Sequence, residues 1–223
     1  KYALLVVMAI FMVTEQVHAE KSMRRCMLLP IKDSVGGAIG FEVFKNVERY
    51  LKQSDWCYFE TNSPILDILS NYRKNLDEHL KNKKVLKVIS DKTQAGSLIR
   101  VQIENKMKGV GVDTIVIGGN GEDLYFKEST QLDTDDPEVI AQTVKNWLEV
   151  YEKSIPYDGR VIGVLGDQFT IDIGENYGVL SSQKLKVVRP TMKRRHPLLK
   201  EIVDWDTERI AKGKIFHVSA NQS

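Results

Sequence analysis

The chain has 223 residues, with 32 basic and 30 acidic side chains and a formal charge of +2. Its 42% hydrophobic and 28% charged content is that of an ordinary globular protein. This excludes fibrous, coiled-coil and low-complexity classes, and it lacks the basic excess of a dedicated nucleic-acid binder. The length allows one large or two small domains.

Lys1 precedes a continuous apolar run over residues 2–13, and Val17-His18-Ala19 follows. A spanning helix needs about 20 apolar residues, so the run is short for a stable anchor. The small residues ahead of position 20 suit a cut after Ala19. The expectation is a cleavable signal peptide over residues 1–19, a periplasmic location, and no transmembrane segment in the mature chain. A buried amino-terminal helix or an uncleaved anchor is the other reading. Cys26 follows Met23-Arg24-Arg25 rather than a lipobox, so lipid attachment there is not expected.

Residues 26–32 read as a short apolar strand. Pro30 lies inside it, which places a strand end or edge there. A glycine-bearing loop over residues 33–40 leads to a helix over 41–53, with Phe41, Phe44, Val47 and Leu51 on one face. Residues 56–61 form a second, aromatic strand, and the crossover makes the two strands a parallel pair. Ser63-Pro64 opens a further helix with a cap and a proline at the first helical position. Val85, Leu86 and Ile89 suggest another, ending near Gly96.

The stretch over residues 98–132 organises the first half. Ile99, Val101 and Ile103 alternate with Arg100, Gln102 and Glu104, the period of a half-buried strand. Residues 110–117 are rich in β-branched side chains. Asn120-Gly121 between apolar runs marks a hairpin, and residues 124–132 return as the third strand of a meander. Asp136-Pro137 then caps a long helix whose stripe is Ile140, Val144, Trp147, Leu148 and Tyr151.

From Ile155-Pro156 the pattern is all β. Strands are expected over residues 159–165, 169–173, 185–189, 201–203 and 214–218, separated by glycine turns. Five short strands of this kind suggest a small barrel, with a domain boundary near Ser154.

Cys26 and Cys57 both sit at starts of expected strands. In an oxidising compartment an even count suggests a bridge. First residues of parallel neighbours lie about one strand spacing apart, close to disulfide reach. Two buried free thiols packing as small hydrophobes is the alternative.

The element order resembles the amino-terminal domain of TolB and the related periplasmic domains of the CsgG and flagellar FlgT groups. The second half resembles the carboxy-terminal domain of FlgT-type proteins. Its matching runs are Gly159-Arg160-Val161-Ile162, Asp167-Gln168-Phe169-Thr170-Ile171-Asp172-Ile173-Gly174, Gly178-Val179 and Leu185-Lys186-Val187-Val188-Arg189-Pro190, with Glu201-Ile202-Val203 and Gly213-Lys214-Ile215 beyond. The resemblance implies an α+β chain: a TolB-like, CsgG-like α/β sandwich domain over residues 20–154, then a small SH3-like β-barrel over 155–223. It implies a non-enzymatic structural or assembly protein of an envelope machine, most specifically a flagellar basal-body ring or assembly factor. Its partners would be envelope or flagellar proteins, and nucleic acid is not among them. A TolB-like or CsgG-like component of an outer-membrane complex is the alternative, and a periplasmic enzyme with an unrecognised site is another. The flagellar relatives carry an extra amino-terminal domain, whereas here the first core strand begins a few residues after the expected cut.

No catalytic, cofactor or metal residues are assigned. The loop around Gly36-Gly37 matches neither dinucleotide nor P-loop spacing, so a plain turn is expected. His79, His196 and His217 fall in different elements, which is unfavourable for zinc, and no serine occupies a nucleophile elbow. Thr134-Asp135-Asp136 reads as a helix cap. Asp204, Asp206 and Glu208 match no calcium loop. Lys193-Arg194-Arg195, beside His196 and between Pro190 and Pro197, reads as a solvated basic loop of the barrel. Its functional reading is docking to an acidic protein partner or an anionic envelope polymer.

Overall fold

The computed structural model describes residues 21–34, 37–61, 76–198 and 201–223. The apolar run, the cut after Ala19, the helix opened by Ser63-Pro64 and residues Val35 and Gly36 lie outside these. The described chain is α+β. Its first half is built on a six-stranded sheet whose path runs β3-β1-β4-β5-β6, with β2 also on β4. The strands are β1 (Arg25–Leu28), β2 (Lys32–Asp33), β3 (Tyr58–Phe59), β4 (Ser97–Asn105), β5 (Val110–Gly118) and β6 (Leu124–Leu132). β4, β5 and β6 form the antiparallel meander, and β1 runs parallel to both β3 and β4.

The breaks in the edge have local causes. Pro30 offers no N–H, so β1 stops before it and pairing with β4 resumes at Lys32 and Asp33. The second aromatic strand is shorter than its sequence suggests. Trp56 is buried with its Nε1–H on the Tyr50 hydroxyl at 3.3 Å, so only Tyr58 and Phe59 join the ladder.

Helices cover both faces. On one lie α1 (Ala38–Gln53) and the long α3 (Pro137–Ser154), whose Ile140, Val144, Leu148 and Tyr151 meet Ile99, Val101 and Ile103 of β4. On the other lies α2 (Lys83–Thr93), whose Leu86 and Ile89 meet Leu98 and Ile117. The period of two in β4 sends alternate side chains into the two layers. The α1 stripe is Gly40, Val43, Val47 and Leu51. Phe41, expected inside, is exposed, and the Lys45 ammonium stands 4.2 Å over its ring. Gly37 caps α1 with φ +85°, and the Asp33 carboxylate accepts from the N–H groups of Gly37 and Gly40 at 3.1 and 2.8 Å. The anion at this helix start is the chain's own side chain.

The second half has the expected strand content in a different arrangement. β7 (Val161–Leu165) pairs with β8 (Gln168–Ile171), and β9 (Lys184–Arg195) pairs with β10 (Ile202–Lys214). These are two separate two-stranded sheets, and no closed barrel forms among the described residues. The edge of β8 that a barrel would pair with β9 is partly taken: Ile171 and Ser223 exchange backbone hydrogen bonds at 2.7 and 3.3 Å. β10 takes in most of the strand expected over 201–203 and runs on through the following residues to Lys214, so only the first residue of the strand expected over 214–218 is in strand. Residues 203–212 are half-buried or exposed, so no buried face marks them as strand.

Cys26 in β1 and Cys57, just ahead of β3, face each other with a Cα–Cα distance of 5.7 Å, within disulfide reach. Their sequence separation is 31, and closing a loop of that size constrains the unfolded chain by about 3–4 kcal/mol. Replacing both with Ser should lower unfolding free energy by that order in non-reducing denaturant titrations. Reductant should lower the wild type and leave the double variant unchanged. Two titratable thiols in denatured, unreduced protein from the native host would contradict the bridge.

Candidate functional site

Where the two halves meet there is a cavity of about 870 Å³. Its walls include Arg24, Trp56 and Tyr58 from the sheet end of the first half, Tyr157 from the connection, and Phe169 and Tyr177 from the second half. The connection is fixed by polar contacts. The Tyr157 hydroxyl accepts from the Met23 N–H at 2.9 Å, and Arg24 Nε donates to the Tyr157 carbonyl at 2.8 Å. Beneath these, the fully buried Tyr151 hydroxyl hydrogen-bonds to Ser97 Oγ at 2.7 Å, and burial raises its pKa. Tyr58 stacks edge-on against Tyr177 with centroids 4.2 Å apart. The Tyr58 hydroxyl is buried with no hydrogen-bond partner, and burial raises its pKa. The wall therefore presents aromatic rings beside the Arg24 guanidinium.

A second polar feature joins the halves. The turn from β5 to β6 is drawn in by the Asn120 side chain, which accepts from the N–H groups of Glu122 and Asp123 at 3.0 Å each. This aims Asp123 inward. Asp123 is only 4% exposed, and its carboxylate is held by Lys193 Nζ at 2.7 Å and by Arg195. Burial pushes the carboxyl up, but Lys193 and Arg195 outweigh that and hold it below the usual carboxylate range. The adjacent Tyr125 packs on Trp205, and Lys193 also lies 5.2 Å over the Trp205 ring.

This corrects the reading of Lys193, Arg194 and Arg195 as a solvated loop. All three lie within β9. Alternation along the strand turns Lys193 and Arg195 toward Asp123, while Arg194 pairs with Asp206 of β10. Pro190 did not end the strand, because β10 accommodates it with a register shift between Asp206 and Thr207.

No protein-family model matches the chain, and no curated protein matches it. Among solved structures it is similar to the lipoprotein GNA1162 from Neisseria meningitidis, at 6% identity over 59% of this chain and 99% of that one, with a TM-score of 0.43. It is also similar to TolB from Acinetobacter baumannii, at 12% identity over 88% of this chain, with a TM-score of 0.41. The match spans 52% of that TolB chain.

The remaining sequence candidates do not converge. Asp136 caps α3 by accepting from the Glu138 N–H at 2.9 Å, and Thr134 accepts from the Asp136 N–H at 3.1 Å. His79 ends a single helical turn, while His196 and His217 follow β9 and β10. Among the described residues no three His, Cys, Asp or Glu side chains are grouped to hold a metal. No described helix is long and apolar enough to cross a membrane.

The carboxylate of Asp123 supplies the test. Changing Lys193 and Arg195 together to Gln strands a buried charge, and stability should fall by roughly 3 kcal/mol. The depressed folded pKa means the contribution is complete above the unfolded value near pH 4 and is lost as pH falls through the lower folded value. Denaturant titrations should show the full gap between wild type and variant at neutral pH, and a shrinking gap below about pH 4. A variant as stable as wild type at pH 7 would rule out the clamp.

Proposed function

We propose that the chain is a non-enzymatic periplasmic protein of the cell envelope, with domains over residues 20–154 and 155–223, that assembles with a partner protein through its second half. Its most specific form is a flagellar basal-body ring or assembly factor. The observation that carries the docking reading is the β7–β8 hairpin. Among the described residues β7 pairs only with β8, which leaves its other edge open there. On that hairpin Val164 is 74% and Leu165 82% exposed, with Ile162 and Val161 also exposed. A long apolar open edge invites another strand unless it is covered. The occupant that fits is an extended segment of a partner protein, adding to β7 by backbone hydrogen bonds with Val164 and Leu165 as apolar contacts. The compartment reading rests on the sequence of residues 1–19 and on the facing Cys26 and Cys57. Lys193 and Arg195 serve the fold in this reading, and Arg194 pairs with Asp206 of β10.

The test is genetic and biochemical together. Deleting the gene in its native host should abolish swimming, and the wild-type chain should restore it. Val164→Glu with Leu165→Glu should not restore it, although these exposed changes should move stability by no more than about 0.5 kcal/mol. Full rescue by the double variant would refute docking at the hairpin. Normal swimming with detergent sensitivity after deletion would refute the flagellar form and point to an outer-membrane complex.

A further inference from the structure

The open end of the β9–β10 ribbon carries an arrangement of charge that folding does not explain. Lys184 stands directly opposite Lys214, and Lys186 directly opposite Lys212. Directly opposed residues share a face with Cβ atoms about 5 Å apart, and like charges so placed repel. Leu185, between the two β9 lysines, turns the other way and packs against the cluster of Ile173, Val179 and Ile215. The four lysines therefore form a square on the outer face. All four are exposed. None has an ion pair or a side-chain hydrogen bond among the described residues.

Bare apolar side chains stand at the end of the same ribbon. Ser182 donates its N–H to the Ile215 carbonyl at 2.8 Å, so the segment before β9 runs beside the one after β10. Leu180 and Phe216 flank this pairing and are 67% and 82% exposed. Ile215 is buried, whereas Phe216 next to it is exposed just beyond Lys214.

We propose that this face docks on an anionic lipid leaflet, with the lysine square on the headgroup phosphates and Phe216 and Leu180 entering the interface. The inference goes beyond the partner-protein reading and does not rest on it, because it uses the opposite ribbon. The chemistry favours a bilayer. Lysine ammonium groups are compact, strongly hydrated point charges suited to a diffuse plane of phosphates, whereas bidentate capture of carboxylates is the province of arginine. A basic cluster beside exposed large apolar side chains matches a surface in which a charged layer overlies an apolar one.

Co-sedimentation of the full chain with vesicles tests this. One set is phosphatidylcholine alone; the other is equal parts phosphatidylglycerol and phosphatidylcholine. The neutral set measures any binding by the apolar residues 2–13. Wild type should prefer the anionic set, and the preference should decline as salt rises. Each lysine near an anionic surface strengthens partition about fivefold. The variant Lys184→Gln, Lys186→Gln, Lys212→Gln and Lys214→Gln should therefore bind the anionic set about 600-fold more weakly. Phe216→Ala should lower the part of binding that survives high salt. A charge-matched control, Lys84→Gln, Lys92→Gln, Lys127→Gln and Lys153→Gln, should retain most of the preference. The ribbon variant should melt no lower than wild type, since it relieves repulsion between opposed lysines. If it fails to fold, the pairs Lys184→Gln with Lys214→Gln and Lys186→Gln with Lys212→Gln are each read alone, and each should weaken binding about twentyfold. Equal partition of wild type onto the two vesicle sets, or equal losses in ribbon and control variants, overturns the proposal. Wild type that ignores anionic vesicles but binds polyglutamate through the lysine square also overturns it, by assigning the face to an acidic protein.

Discussion

The carboxylate of Asp123 fixes how the second half of this protein stands on the first. Taking a carboxylate out of water costs several kcal/mol, and opposite charge repays that only at close range with good geometry. Here the two cations come from β9, in a different half of the chain. The ribbon cannot slide along β6 or tilt away without leaving Asp123 buried and unpaired. The neighbouring contacts follow from that registration. The isolated bridge from Leu124 to Glu201, the Tyr125–Trp205 ring contact and the burial of Ile202 all lie within a few residues of the clamp. Apolar contacts there tolerate small shifts, whereas a buried charge with two specific partners selects one arrangement.

The first half was legible because its signals are repeated. Alternation in β4, β-branched density in β5, a glycine turn and a capped helix with a clean stripe all point to one sheet with covered faces. The errors there are small and local. Phe41 fits a helical stripe arithmetically, but α1 starts earlier than Phe41, and its inward face runs through Gly40, Val43 and Val47. Helix periodicity defines a face only once the start of the helix is known.

The second half was legible in content and not in arrangement. Glycine turns and short alternating runs reveal strands, but nothing local says which edges pair. Over residues 203–212 the apolar Val203, Trp205 and Ile210 stand among charged neighbours and none is buried, so no buried face announces a strand; it is strand because β9 supplies its hydrogen bonds. The same limit hid the role of the basic run. Three consecutive cations between prolines look solvated until a strand alternation sends two of them toward one acid. That acid, Asp123, lies 70 residues from Lys193, and no spacing rule connects the two. By contrast, the order Lys-Leu-Lys at 184–186 and Lys-Gly-Lys at 212–214 is visible in the sequence. What the sequence lacks is the register that sets those lysines face to face.

Stability and exposure divide the molecule in a way that bears on function. The three-layer half buries its apolar side chains on both faces of a sheet. A two-stranded ribbon is marginal alone and must lean on another element. The β9–β10 ribbon leans at its closed end, through Asp123, Ile202 and Trp205. Its open end touches only the small cluster around Ile173, Val179 and Ile215. The strain of opposed lysines sits at that open end, far along the strands from the clamp, where repulsion of about 1 kcal/mol per pair can be carried without loosening the joint. The hairpin of β7 and β8 is likewise held at Ile171 and open beyond it. Both ribbons are therefore anchored where they meet the body and bare where they leave it.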